Sequence, residues 1–102
     1  MEKFTLAIKF TAKTDNYEEF KRALSALFEK VQHEEKFLHS TLHQNINKPE
    51  EFFVYEEWNE DIEHFLNTRF EKPYAEEWEQ LLIDMEIKRE PSVYQSFAHY
   101  KK

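Results

Sequence analysis

Apolar and polar positions alternate at the start of the chain, where Phe4, Leu6, Ile8 and Phe10 are interleaved with Thr5, Lys9 and Thr11. A period of two predicts a strand with one apolar face. The period then lengthens. Tyr17, Phe20, Leu24, Leu27, Phe28 and Val31 recur at helical spacing through about residue 34, with Glu18, Glu19, Lys21, Arg22, Glu29 and Lys30 on the other face. That is an amphipathic helix, and Asp15 followed by Glu18 reads as its capping box. Residues 36–46, KFLHSTLHQNI, predict a second strand. One face carries Leu38, Ser40, Leu42 and Gln44, the other Phe37, His39, Thr41 and His43. Asn47 and Pro49 supply turn chemistry, so FFVYEEW (Phe52–Trp58) predicts a third strand returning antiparallel as a hairpin. Asn59 is the expected cap of a short helix over NEDIEHFLNT. Pro73 fits the first turn of a further helix, PYAEEWEQLLIDM, with Tyr74, Trp78, Leu81 and Leu82 on one side. The tail, EIKREPSVYQSF, alternates again around Pro91, as an edge strand does.

The predicted order is β-α-β-β-α-β, an α+β ferredoxin-like arrangement with an antiparallel sheet. The chain of 102 residues is expected to form a single domain over 1–102. Phe52, Phe53, Val54 and Tyr55 do not alternate, so both faces of the third strand call for burial. Helices can cover one face. A second copy of the same sheet is the economical cover for the other, which predicts a homodimer packed through the sheet face.

Composition narrows the functional classes. Aromatics make up 17% of the residues, a load that implies a ring-rich core, a pocket or an interface. The formal charge of −7 disfavours nucleic acid and a basic membrane-binding patch. No apolar run approaches the roughly 20 residues of a spanning helix. The opening residues lack the apolar stretch of a signal peptide, so the expected location is cytoplasmic. Without Cys there is no thiolate chemistry, and without Gly there is no glycine-rich phosphate loop. Turns are left to Asn, Asp, Lys or Pro.

The stretch LHQNINKPEEFFVYEEW (42–58) resembles the hairpin of the antibiotic-biosynthesis-monooxygenase domain, in which a polar His-Gln-like pair, a turn with Pro and an aromatic strand closing on Glu-x-Trp follow one another. The alternating first strand, the helix around Glu18–Leu24 and LNTRFEKPY extend the likeness over nearly the whole chain. The resemblance implies a dimeric α+β barrel with a cavity between each sheet and its helices. It also implies, for several members, oxidation of quinols or polyphenols by O2 with no metal or flavin, and for others haem degradation. The sequence departs from that pattern at several places, among them Lys36, where members commonly have Gly, and a loop after Trp58 about two residues short. Val54 stands where well-studied oxygenases of the family use Asn, and Phe65 where many members carry His. No Asn lies between Phe4 and Lys13, where haem-degrading members have one.

Side-chain parity places Val54, Glu56 and Trp58 on one strand face. A covered Glu56 would need partners or carry a raised pKa, which suits a general base for a phenolic proton. The plainer expectation pairs it with Arg69 or Arg89. His43 and His64 are further candidate proton acceptors. Trp58, Val54, Phe65, Tyr74 and Trp78 are candidate substrate-binding residues. His39 and His43 stand too far apart on one strand for a shared ion, so no metal is expected. Two readings stay open. One is a cofactor-independent monooxygenase acting on a small aromatic ligand. The other is a non-catalytic dimeric binding or stress-related protein, with haem degradation a weaker third. An open cavity with a carboxylate or imidazole at its wall favours the first, and a cavity filled by Phe and Trp side chains excludes it.

Overall fold

The computed structural model describes residues 3–102. β1 (Phe4–Thr11) leads into α1 (Tyr17–Val31), and β2 (Phe37–Gln44) and β3 (Glu51–Trp58) form the hairpin. α2 (Ile62–Thr68), a single 3₁₀ turn (Arg69–Glu71) and α3 (Ala75–Asp84) precede β4 (Lys88–Tyr94). The strands run in the order β2-β3-β1-β4, all neighbours antiparallel, which is the ferredoxin-like arrangement. Pro91 lies in β4 at the sheet edge, where a missing N–H leaves no ladder bond unmade.

Register decides which side chains meet the helices. Leu6 pairs with Glu56, Ile8 with Val54 and Phe10 with Phe52, so these six share the inner face. The core has two centres. One gathers Phe10, Phe20, Leu24, Phe52, Val54 and Leu82. The other gathers Phe4, Val31, Trp58 and Phe65. Ring contacts knit each centre: Phe20 stands 5.4 Å from both Phe10 and Phe52, and Phe65 stands 5.0 Å from both Phe4 and Trp58. Burying each such ring stabilises the fold by about 1.5–3 kcal/mol.

Several local expectations are corrected. β2 keeps the predicted faces from Ser40 onward, but its register shifts between Phe37 and His39. The irregularity skips Leu38, so Phe37 pairs with Trp58 and packs against its indole while Leu38 is exposed. The cap of α1 is Asn16, not Asp15, and it works by bridging rather than capping. Its Oδ1 accepts from the Lys13 amide at 2.9 Å, and its Nδ2 donates to the Met85 carbonyl at 3.0 Å. Asp61 rather than Asn59 caps α2, accepting from the Glu63 amide. Pro73 falls ahead of α3, whose cap is Tyr74.

The turn after α3 uses neither Asn, Asp, Lys nor Pro. Glu86 takes φ 55°, with its amide on the Ile83 carbonyl and the Ile87 amide on the Leu82 carbonyl. This is a Schellman closure with glutamate at the position glycine usually takes.

Among the described residues no helix covers the outer sheet face, and the stretch after β4 reaches it at Thr5, where the Ser96 hydroxyl lies 3.3 Å from that of Thr5. Phe53 is 45% exposed there, beside the half-buried Tyr55 and the exposed His39 and His43.

Candidate functional site

A cavity of about 150 Å³ lies between the inner sheet face and the helices. Its floor is Leu6, Ile8, Glu56 and Trp58, and α1 contributes Leu27, Phe28 and Val31. Phe65, Phe70, Tyr74 and Trp78 close it from the segment after β3. The cavity is open space between the two aromatic centres, with a carboxylate in its wall.

That carboxylate is Glu56, only 6% exposed. Its Oε1 accepts from the Trp58 indole Nε1–H at 2.8 Å. Burial pushes the acid up to about 7, and the indole hydrogen bond opposes the rise. The side chains are two apart on one strand, so they project side by side and the bond is local. The expected pairing of Glu56 with Arg69 or Arg89 is not made. Arg89 instead grips Glu79 through two bonds of 2.7 and 2.8 Å, and Arg69 donates to the Leu66 carbonyl at 2.8 Å.

A second polar group stands on the same cavity. Burial first, then the Glu34 carboxylate beside it and the charge of Glu56, hold the Tyr74 phenol well above its ordinary range. Tyr74 therefore keeps its proton throughout the neutral range. Lys72 bonds Glu34 at 2.9 Å and lies 5.8 Å above the Trp58 ring, tying the α1 end to the segment ahead of α3.

The family profile for antibiotic biosynthesis monooxygenases matches residues 3–80. The chain belongs to the antibiotic biosynthesis monooxygenase family. No curated protein matches the sequence of this family member. Solved structures match its fold. A variant of SnoaB, a cofactor-independent oxygenase from Streptomyces nogalater, superposes with a TM-score of 0.83 at 15% identity over 100% of both chains. A protein from Deinococcus radiodurans gives 0.82 at 12% identity over 97% of each chain. A conserved protein from Methanosarcina mazei gives 0.78 at 21% identity over 95% of each.

In this monooxygenase-family chain, five of the predicted site residues meet at the cavity: Glu56, Trp58, Phe65, Tyr74 and Trp78. The other three do not line it. Val54 is on the correct face but 0% exposed, sealed into the core centre around Phe20. His43 projects from the outer sheet face, its Nδ1 3.0 Å from the Phe53 carbonyl, because its register partner is Phe53 rather than Val54. His64 is on the exposed side of α2, where its Nδ1 bonds Glu60 at 2.6 Å. Lys72, Glu34 and Phe70 were not singled out by the sequence pattern. Lys72 and Glu34 are 38 positions apart, and no local periodicity links them. Among the described residues, no group of three or more His, Asp or Glu side chains could hold a metal ion.

Proposed function

We propose that this protein is a monooxygenase that oxidises a small quinol-type aromatic with O2, without a cofactor, in the cavity between sheet and helices. The observation that carries the reading is Glu56: a buried carboxyl at the wall of an apolar cavity, with an acidity near 7. A base of that strength is matched to a phenolic proton at neutral pH. Likeness of fold to SnoaB, named a cofactor-independent oxygenase, supports the same class.

In the proposed reaction Glu56 takes the phenolic proton, and the ring becomes an electron-rich anion. O2 bonds to a ring carbon of that anion as a peroxide, and the proton returns from Glu56 to its outer oxygen. The O–O bond then breaks as the carbon loses its hydrogen. One oxygen atom stays as a quinone carbonyl and the other leaves as water, so no other reductant is consumed. Trp58, Phe65 and Trp78 hold the ring, and Tyr74 keeps a donor O–H at the cavity wall. Exclusion of water protects the peroxide.

The working assembly in this reading is a homodimer. Phe53 and Tyr55 on the outer sheet face form the apolar patch that a second copy would cover.

The test is O2 consumption with a panel of quinols and catechols. The natural protein should exceed Trp58→Phe and Glu56→Gln on at least one compound. Equal background rates for all three would favour the non-catalytic binding protein.

A further inference from the structure

The size and charge of the cavity define a ligand class within the monooxygenase reading, on which this inference rests. The space within this partly open cavity is about 150 Å³. An engineered cavity of about 150 Å³ lined by Leu, Ile and Phe, in an unrelated protein, accommodates one benzene ring. Pockets for larger organic ligands run to about 300–1,000 Å³. The walls resist widening. Trp78 stands 5.8 Å from Phe20 and 6.0 Å from Phe10, and Trp58 stands 5.0 Å from Phe65. Turning one of these rings disturbs a close-packed neighbour.

The charges on the lining are unequal in their partners. Arg89 is held by Glu79 and Lys72 by Glu34. Arg69 also lines the cavity; among the described residues it makes no ion pair, although its charge, after that of Arg89, helps hold the Glu79 carboxyl below its usual range. It donates one bond to the Leu66 carbonyl and lies over the Phe70 ring, 4.6 Å from its centre. A guanidinium has five N–H donors in a fork suited to a carboxylate. One cavity thus presents an apolar slot for one ring, a carboxyl base and a cation with donors to spare.

We propose that the substrate is a single-ring phenol bearing a carboxylate, with its hydroxyl toward Glu56 and its carboxylate toward Arg69. Fused-ring phenols bind more weakly, because a second ring is left outside the apolar slot at its open side. Uncharged phenols bind more weakly because they leave Arg69 unused.

Binding can be read without turnover. Trp58 and Trp78, the two tryptophans of the chain, both line the cavity, so quenching of intrinsic fluorescence under nitrogen reports occupancy. The probes are phenol, para-hydroxybenzoate and a hydroxynaphthoate. Para-hydroxybenzoate should bind about tenfold more tightly than phenol, the factor expected of one charge-assisted hydrogen bond. Arg69→Gln should abolish that difference while leaving phenol binding and the circular dichroism spectrum unchanged. The hydroxynaphthoate should bind at least tenfold more weakly than para-hydroxybenzoate, because the slot between the packed rings takes one ring only and the second cannot enter it without moving them. Equal binding of the one-ring and two-ring acids, or an unchanged preference in Arg69→Gln, overturns the proposal. Binding as expected, with no O2 consumed in air when a dihydroxybenzoate of the quinol type is supplied, keeps the ligand class and removes the monooxygenase reading instead.

Discussion

The indole Nε1–H of Trp58 donates to Oε1 of Glu56 at 2.8 Å, and the two side chains stand two positions apart on the inner face of β3. Burial and this bond act on the acid in opposite directions, with burial the larger effect. The strand that supplies the base therefore also supplies the group that moderates it. Trp58→Phe keeps a ring in the wall but deletes the donor. The Glu56 acidity should then rise above about 7, read as an alkaline shift of its side-chain carboxyl resonance in a pH titration. An unchanged midpoint would show that the indole bond does not favour the ionised form.

Glu56 also makes stability depend on pH. Its ordinary value of 4.5 applies to the unfolded chain, and the folded value is about 7. Between these values the folded state keeps a proton that the unfolded state releases. The resulting stabilisation is complete below the unfolded value and is lost as pH rises through the folded one. Over that window the loss amounts to roughly 3 kcal/mol. Glu56→Gln has no such proton to lose. In urea titrations its stability relative to the natural protein should improve steadily from about pH 4.5 to about pH 7. A constant difference across that range would count against a raised Glu56.

Much of the fold was legible because local periods and turn residues agreed with the global arrangement. Alternation at Phe4–Phe10 and the spacing of Phe20, Leu24 and Val31 marked β1 and α1, and the parity of Val54, Glu56 and Trp58 correctly set one face of β3. What failed depended on relations between distant segments. The skipped Leu38 reversed the roles of Phe37 and Leu38, and no single-strand pattern encodes a bulge in the pairing. His43 looked suited to the cavity because its neighbours matched a family pattern, yet its pairing with Phe53 turns it outward. Lys72 and Glu34 meet only once α1 and the segment before α3 are packed.

The absence of glycine shows most plainly at Glu86. A side chain at φ 55° carries a steric cost of about 1–2 kcal/mol that glycine avoids. Its ion pair with Lys13 at 2.9 Å is well exposed and offsets only part of that. Glu86→Gly should therefore stabilise the protein by about 1 kcal/mol in denaturant unfolding. A loss of stability would mean that the Lys13 contact outweighs the backbone conformation.

The outer sheet face gives a separate test. Phe53 is 45% exposed at its centre, flanked by Tyr55 and His43. If two copies pack there, light scattering of the natural protein should report twice its mass of 12.6 kDa. Phe53→Glu should give the single-chain mass, since an unpaired buried charge is costly. A monomeric natural protein, or a Phe53→Glu variant that remains dimeric, would remove this face as the interface.

The most direct test of the account is the pH profile of kcat/KM for O2 consumption, measured with whichever quinol or phenol the panel shows to react. If Glu56 is the proton acceptor, the rate of the natural protein should rise with pH to a plateau, with a midpoint near 7, and Glu56→Gln should stay at the background rate throughout. A Glu56→Gln variant with the natural rate and the same midpoint would contradict the central claim.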